Sequence, residues 1–251
     1  MRQQARASMP VNFVHSLPHV NFTVNRATWI LERARDRRVI HIGCVDSGLD
    51  DGQTESANLH RSMGEAAAFL VGVDVDAAGI DRMRAAGIDN LYVGDVSADA
   101  LLREEIVNAL AGRADLIIAG EVLEHVRNAG RMLDGLREIA LATGAEVVVT
   151  VPNALSFRAQ LAAIRRRVEL VHEDHVAYYS PVTLANAVSR SGLHVDAMLG
   201  YSYTGDRVQS GPKKLARSLL QSGLLKRRPH LGEGLICLCH PVVDSEGAHE
   251  S

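Results

Sequence analysis

The densest group of residues able to do chemistry follows a short apolar run near the middle of the chain. Residues 114–126 read ADLIIAGEVLEHV and place Glu121, Glu124 and His125 directly after the apolar stretch Leu116–Ala119. If the segment after this stretch is helical, the three side chains are spaced i, i+3 and i+4 and share one face. Two carboxylates and an imidazole on one face destabilise one another unless they are solvated, bind a cation or transfer protons. The alternative is a solvated first helical turn whose dipole favours the acids.

The apolar stretch predicts a strand buried on both faces, and similar runs recur along the chain. A strand that ends at acids and a histidine is typical of open α/β sheets, which place their chemistry at the carboxyl ends of their strands. Strand-like and helix-like segments alternate five times, which predicts a parallel, doubly wound sheet. The predicted strands cover residues 39–42, 69–74, 91–93, 116–119, 146–151, 194–199 and 235–239.

A glycine-bearing turn and an acid after the next strand predict a site for a nucleoside. Gly43 and Gly48 enclose the turn after the first strand, where a backbone can approach a ligand closely. Asp74 ends the second strand, where a carboxylate can accept both ribose hydroxyls, and the N-cap of the next helix is its alternative role. Asp95 follows the third strand and either accepts a hydrogen bond from an adenine amino group or serves as a turn residue.

A polar segment after the fifth strand breaks the alternation of strands and helices. Residues 155–170 predict a helix with four arginines, and residues 171–181 contain two histidines, two acids and two tyrosines. So many polar residues in a short loop favour a site over a linker, with His175 as the stronger candidate and His172 as the weaker one. The arginines either bind an anionic or polyhydroxylated acceptor or form a solvated helix face.

The composition limits the partners and the compartment. The chain has 251 residues and a formal net charge of −3, which argues against wholesale binding of nucleic acid, and an aromatic content of 4% leaves few stacking platforms for single strands. Three cysteines give no disulfide framework, which favours a reducing, cytoplasmic compartment. No apolar stretch reaches the length of a membrane span, and no signal peptide is predicted.

The composition of successive segments predicts how the chain is organised. The basic insertion near the C-terminus is expected to act as a lid, contact a second copy in a homodimer, or lie on a membrane surface. The predicted segments are an N-terminal segment and helix (1–38), a cofactor-binding core (39–152), an active-site insertion (153–180), a core helix and strand (181–200), a basic helical insertion (201–234) and a last strand with a tail (235–251).

Taken in order, these motifs resemble those of class I S-adenosylmethionine-dependent methyltransferases. The resemblance covers Val39 to His240 and rests on the sequences HIGCVDSG, LVGVDVD, GDVS, DLIIAGEVLEHV and VVVTVPN. It implies a doubly wound, seven-stranded Rossmann-like α/β sheet with the last strand antiparallel and with helical lid insertions. One departure is His41, which stands where most members carry an acid.

The resemblance also implies which residues hold S-adenosylmethionine. Three positions in the first turn would line its methionine and ribose side, the acid that ends the second strand would bind the ribose hydroxyls with the next residue as a further cofactor contact, and two positions after the third strand would hold the adenine. The last two positions would lie beside the sulfonium. In that order, the residues are Gly43, Cys44, Gly48, Asp74, Val75, Asp95, Val96, Gly120 and Glu121.

A narrower resemblance joins the Glu-x-x-Glu-His motif to the later histidine. Small-RNA 2′-O-methyltransferases hold magnesium beside a ribose diol with two glutamates and two histidines in a similar arrangement, and methyltransferases of sugars in polysaccharide pathways look similar. The ligands implied for a magnesium or manganese ion are Glu121, Glu124, His125 and His175.

A sugar hydroxyl is a poor nucleophile near neutral pH, so its methylation needs a base or a metal. A neutral histidine suits the role of base, so His125 and His175 are the candidate bases, with Glu121 beside them. The function expected first is O-methylation of a carbohydrate hydroxyl on a small-molecule or oligosaccharide acceptor. Two alternatives stay open. One is a methyltransferase of another small molecule, a lipid or an RNA 2′-hydroxyl, and the other is a non-catalytic module that binds the cofactor.

Overall fold

Eight strands form one mixed sheet in the computed structural model, which describes residues 15–23, 25–45, 59–202 and 223–243. Seven of them match the predicted runs. The eighth, at the edge of the sheet, has two residues and is too short to give a periodic signal, so the expected seven strands become eight. In chain order the strands are β1 (Asn21–Phe22), β2 (Arg38–Ile42), β3 (Phe69–Asp74), β4 (Leu91–Val93), β5 (Leu116–Gly120), β6 (Glu146–Pro152), β7 (Leu193–Tyr201) and β8 (Gly234–Pro241).

The order of the strands across the sheet is β1-β7-β8-β6-β5-β2-β3-β4. The five strands from β4 to β6 in this order are parallel, and β8 runs antiparallel between β6 and β7, as predicted for the last strand. The chain leaves β2 towards β3 on one side and later returns to β5 on its other side. This reversal creates a crevice at the carboxyl ends of β2 and β5, which is where open α/β sheets bind ligands.

Seven helices connect the strands between residues 25 and 202, and residues 223–227 form a further helical segment. The helix predicted over 155–170 is shorter than expected, because Arg167 adopts a left-handed conformation (φ 54°) that ends it. The helices are α1 (Arg26–Ala34), α2 (Leu59–Ala66), α3 (Ala77–Ala85), α4 (Ala100–Ala109), α5 (Ala129–Thr143), α6 (Phe157–Arg166) and α7 (Pro181–Arg190), with a 3₁₀ turn at Pro229–Leu231.

Two apolar layers cover the two faces of the sheet. Successive side chains of a strand point to opposite faces, so Ile117 packs in the layer that contains Leu136 of α5, while Ile118 packs in the layer that contains Ile30 of α1. Both cysteines of β8, Cys237 and Cys239, are fully buried in the first of these layers. The packed sheet therefore fixes the strand ends at which the predicted site residues lie.

None of the helices in the described part of the chain is both long and apolar enough to cross a membrane. Residues 203–222, most of the basic insertion, lie outside the described residues, so its role as a lid, a homodimer contact or a membrane-surface helix stays a prediction. Gly48 of the first turn also lies outside them.

Candidate active site

The turn after β5 carries three of the predicted site residues. Glu121 takes a left-handed conformation (φ 57°), and its N–H donates to the carbonyl oxygen of Thr150 at 2.9 Å. A tight turn follows, in which the N–H of His125 donates to the carbonyl of Val122 at 3.0 Å. The segment is therefore a turn and not the expected helix, which begins only after Asn128, the N-cap of α5. As a result, the two glutamates do not share a helical face.

Three donors from distant parts of the chain surround the carboxylate of Glu121. The hydroxyl of Tyr201 donates to its Oε1 at 2.7 Å, and the hydroxyl of Thr150 donates to the same atom at 2.9 Å. The Nη1 atom of Arg26 lies 3.7 Å from Oε1 and donates to the hydroxyl of Thr150 at 3.2 Å. Hydrogen bonds to an ionised group are stronger than neutral ones, so this cluster orients Glu121 and stabilises its charge.

The carboxyl group of Glu124 has the opposite surroundings. Its side chain is 1% exposed, and neither of its oxygens has a hydrogen-bond partner among the described residues. Burial, with the charge of nearby Glu121, raises the pKa of Glu124 to about 8. A buried carboxyl without a donor is destabilising, so this group fits a position that receives a cation or a proton.

Glu124, His125 and His175 form a compact group of three ligands. One ligand atom from each of them lies within 4.8 Å of the others, which suits a single metal ion. The Nε2 atom of His175 lies 4.0 Å from Oε1 of Glu124, and its Nδ1 atom is buried without a hydrogen-bond partner among the described residues. Glu121, the fourth predicted ligand, is not part of this group and belongs to the cluster with Arg26.

The loop after α6 brings His175 to the site through backbone hydrogen bonds. The N–H groups of Val176 and Ala177 donate to the carbonyl of Glu124 at 2.8 and 3.3 Å. Burial, with neighbouring histidines, lowers the pKa of His175, so its imidazole is neutral near pH 7. A neutral imidazole is the form that binds metals and accepts protons.

A third histidine, His172, lies beside this group. Its ring centroid is 6.1 Å from that of His125 and 5.6 Å from that of His175, while the His125 and His175 rings meet edge-on at 4.6 Å. Its side chain is exposed and it interacts with Asp174, with 3.6 Å between the ring nitrogen and the carboxylate. His172 therefore flanks the site from the solvent side, which agrees with its prediction as the weaker of the two candidate site histidines.

The predicted cofactor positions in the described residues lie along one edge of the sheet. They follow β2, β3, β4 and β5, four adjacent parallel strands whose carboxyl ends meet at this edge. Gly43 has a left-handed conformation (φ 73°), and a Cβ added there would collide with Val122. Its lack of a side chain therefore brings the first turn close to the turn after β5.

Asp74 links the first two turns and keeps unused acceptor capacity. Its carboxylate accepts hydrogen bonds from the N–H groups of Val45 at 2.8 Å and Asp76 at 2.9 Å. Asp76, and not Asp74, caps α3, so the alternative role considered for Asp74 belongs to its neighbour. A carboxylate offers about four lone-pair sites, so two remain for the hydroxyls of a ribose.

The positions predicted to hold the adenine differ in exposure. Asp95 is exposed and accepts a hydrogen bond from the N–H of Ser97 at 2.8 Å, while the side chain of Val96 is buried in the core. Only the backbone of Val96 is thus left to face a ligand, and its carbonyl already accepts a hydrogen bond from Arg103 at 2.7 Å. Val75 is 69% exposed at the end of β3, and Cys44 is buried beside the first turn.

His41 has a buried histidine as its partner. Its Nδ1 lies 3.1 Å from Nδ1 of His60, and the two rings stack with 5.3 Å between centroids. Burial lowers the pKa of His41 well below its ordinary value and that of His60 to about 4. A hydrogen bond between two neutral rings thus stands where the family resemblance implies an acid, and it joins β2 to α2.

Four residues near the site were missed by the sequence analysis: Arg26, His60, Thr150 and Tyr201. Thr150 interrupts the apolar run of β6, where its hydroxyl is the one feature that sets it apart from the valines on either side. Arg26 and Tyr201 lie 95 and 80 positions from Glu121, so no local spacing connects them to it. Their role becomes visible only when the sheet brings the strand ends together.

The chain matches one family model and several solved structures. Residues 25–197 match the model of the methyltransferase domain family. No curated protein sequence gives a significant match. Because the family model spans more than half of the chain, the chain belongs to this family.

The structural comparisons agree in fold. The complex of the Haloferax volcanii Trm112 methyltransferase activator with a methyltransferase matches with a TM-score of 0.56 and 15% identity, covering 86% of this chain and 89% of that one. An S-adenosylmethionine-dependent methyltransferase from Mesorhizobium loti matches with a TM-score of 0.50 and 17% identity, covering 86% and 98%. The small RNA methyltransferase HEN1 matches with a TM-score of 0.53 and 15% identity, covering 87% of this chain and 25% of that one.

The family and the fold together define the class of this protein. Its sheet order and antiparallel last strand are those of the Rossmann-like methyltransferase fold. The protein is an S-adenosylmethionine-dependent methyltransferase.

Proposed function

We propose that this methyltransferase transfers its methyl group to a carbohydrate hydroxyl and binds a divalent metal through Glu124, His125 and His175. The observation that carries the proposal is the carboxyl of Glu124, which is buried, has no hydrogen-bond donor among the described residues and lies within reach of two histidines. A cation there would offset the unfavourable burial of the carboxylate, and a vicinal diol is a suitable ligand for its remaining positions.

The residues at the strand ends would hold the methyl donor. Asp74 has the acceptor capacity for the ribose hydroxyls, Gly43 gives close access to the backbone, and Gly120 leaves room beside Glu121. The exposed carboxylate of Asp95 and the neighbouring Val75 would border the adenine. These roles follow the family resemblance and the shared edge of the sheet.

A histidine is the proposed base for the acceptor hydroxyl. The acceptor oxygen attacks the methyl carbon as the carbon–sulfur bond breaks, so the hydroxyl proton must leave. His175 is neutral near pH 7 because burial lowers its pKa, and His125 meets it edge-on, so either ring can accept the proton when it is not bound to the ion. When bound, the metal supplies a Lewis acid that lowers the pKa of the hydroxyl.

The donor set favours manganese over magnesium. Two imidazoles and one carboxylate lie close together, and Glu121 is engaged with Tyr201, Thr150 and Arg26. Magnesium prefers oxygen ligands, whereas manganese tolerates imidazole. We therefore expect manganese to support activity better than magnesium.

A ribose 2′-hydroxyl of RNA is the second candidate acceptor, because it shares the diol chemistry and the motif of two glutamates and two histidines. The net charge of −3 and the aromatic content of 4% favour the sugar instead.

Methyl transfer from labelled S-adenosylmethionine to mono- and oligosaccharides and to a short RNA, with manganese or with a chelator, tests the proposal. We expect labelled sugar only with the metal. Labelled RNA without labelled sugar would support the second candidate, and metal-independent transfer would exclude the metal role.

A further inference from the structure

Helix α6 lies on the surface with no buried residue. Phe157, Leu161 and Ile164 are spaced i, i+4 and i+7, so they form one stripe along the helix. Phe157 is 43% exposed and Ile164 is 79% exposed, while Leu161 is half-buried between them. Val168, just beyond the helix, is also exposed, at 44%.

Exposed apolar side chains are concentrated around this helix. Thirteen large apolar residues are exposed in the described part of the chain, and six of them lie within the twenty positions 157–176. Single exposed apolar residues are ordinary, but a contiguous group marks an interaction surface. The six are Phe157, Ile164, Val168, Leu170, Val171 and Val176.

Arginines border the stripe and no acid interrupts them. Residues 154–168 contain four arginines and neither Asp nor Glu. Arg158 pairs with the buried carboxylate of Glu233 at 2.9 Å, which anchors the first turn of α6 to the start of β8. Arg165, Arg166 and Arg167 are exposed at the other end of the helix. The acids of this region begin at Glu169, in the loop that leads to the histidines.

We propose that this surface, the α6 face formed by Phe157, Leu161, Ile164 and Arg165, binds an anionic lipid bilayer. A helix with an apolar stripe beside arginines lies at the boundary between head groups and acyl chains. Each arginine near an anionic surface strengthens binding about fivefold.

The same features disfavour a second copy of the chain as the binding partner of the α6 face. In a symmetric dimer each α6 face would meet itself, which brings arginines against arginines. The protein as a whole carries a net charge of −3 and is repelled by an anionic bilayer, so binding must come from a local patch.

Docking through α6 would also place the candidate active site near the bilayer. The loop that leaves α6 carries His172 and His175, and it is bonded to Glu124 through Val176. The acceptor is then a hydroxyl of a membrane-borne molecule, a statement that rests on the proposed function, whereas bilayer binding itself does not.

Vesicle flotation with the full chain tests the proposal. The vesicles contain phosphatidylcholine alone or mixed equally with phosphatidylglycerol, and we expect binding only to the anionic mixture. Ile164→Glu should lower the partition coefficient about tenfold or more, because it removes apolar burial. Arg165→Gln should lower it about fivefold.

Leu101→Glu is the matched control, because Leu101 is 72% exposed on α4, outside the α6 face. This variant should bind vesicles as the wild type does. Unchanged binding of S-adenosylhomocysteine by all variants shows that they fold and separates this test from that of the methyl-transfer reaction.

Three results would overturn the proposal. The first is that the wild type does not bind anionic vesicles. The second is that Ile164→Glu and Leu101→Glu lose binding equally. The third is that the protein is a dimer in size-exclusion chromatography and that Ile164→Glu converts it to a monomer.

Discussion

Two glutamates in the turn after β5 stand three positions apart in contrasting surroundings. Glu121 accepts hydrogen bonds from Tyr201 and Thr150, whereas the oxygens of Glu124 have no donor among the described residues. The first arrangement stabilises a carboxylate and the second opposes one. The turn thus separates an anchoring acid from an acid that is available to a cation.

Glu124→Gln should make the metal-free protein more stable at alkaline pH. The pKa of Glu124 is about 8 in the folded state and ordinarily 4.5, so its contribution to stability is present below pH 4.5 and is lost as pH rises through 8. We expect the variant to gain about 1–3 kcal/mol over the wild type at pH 9. Urea unfolding with a chelator at pH 5 and pH 9 measures this, and Glu173→Gln, an exposed acid in the nearby loop, is the control. An equal difference at both pH values would contradict the prediction.

The pair of buried histidines predicts an acid-sensitive fold. The pKa of His60 is lowered to about 4 and that of His41 is lowered well below its ordinary value, so their contribution is complete above the ordinary value of 6.5 and is lost as pH falls towards 4. His60→Gln should reduce the decrease in the free energy of unfolding between pH 7 and pH 4 by about 2–3 kcal/mol. The measurement is the free energy of unfolding at several pH values from 4 to 7.

The control for that experiment is His194→Gln, because His194 is exposed on β7. Its pH profile should follow the wild type. A His60→Gln profile as steep as that of the wild type would show that the buried pair is not the source of the acid sensitivity.

At the scale of elements, one cluster of polar side chains connects four helices and strands at the candidate active site. Arg26 of α1, Thr150 of β6 and Tyr201 of β7 all converge on Glu121 after β5. Gly234 of β8 lies so close to the ring of Tyr201 that a Cβ there would collide with it. The antiparallel pair β7–β8 therefore helps to position a residue of the candidate active site.

Tyr201→Phe should destabilise the protein while leaving its packing intact. The ring remains against Gly234, but the carboxylate of Glu121 loses one donor at 2.7 Å. A hydrogen bond to a charged group contributes about 1.5–3 kcal/mol, and we expect a loss of that size in urea unfolding. Tyr178→Phe, whose hydroxyl is bonded to a backbone carbonyl at an exposed position, should lose much less. Equal losses in the two variants would contradict the role given to the cluster.

Helix α5 supports the turn that is predicted to border the adenine. A Cβ at Gly135 would collide with the backbone carbonyl of Val96, so Gly135→Ala should push this turn outward. We expect a loss of about 1–3 kcal/mol in stability, with weaker binding of S-adenosylhomocysteine in calorimetry. Gly130→Ala in the same helix meets only a side-chain oxygen at 3.4 Å and should keep its affinity. Wild-type affinity in Gly135→Ala would show that this turn does not contact the cofactor.

At the scale of the whole molecule, the order of apolar runs predicted the fold because each strand is a separate, uninterrupted run. The seven predicted strands are present, and the parallel core brings Asp74, Asp95 and Gly120 to one edge as expected. The two-residue β1 was not predictable, since it pairs with β7 through tertiary proximity alone.

The site was predictable in its residue types but not in its grouping. The spacing of Glu121, Glu124 and His125 suggested a shared helical face, which the left-handed Glu121 removes. What separates Glu121 from the others is a set of donors 29 to 95 positions away, and such long-range contacts leave no local pattern. His175 was found because a histidine in a polar loop stands out against the apolar strands.

The most direct test of the account is calorimetric titration of manganese into the protein saturated with S-adenosylhomocysteine, comparing wild type with Glu124→Gln and Glu121→Gln. The account predicts one metal ion bound by the wild type, no measurable binding by Glu124→Gln, and binding retained by Glu121→Gln, because Glu121 lies outside the group formed by Glu124, His125 and His175. Manganese binding that is unchanged in Glu124→Gln, or absent from the wild type, would contradict the account.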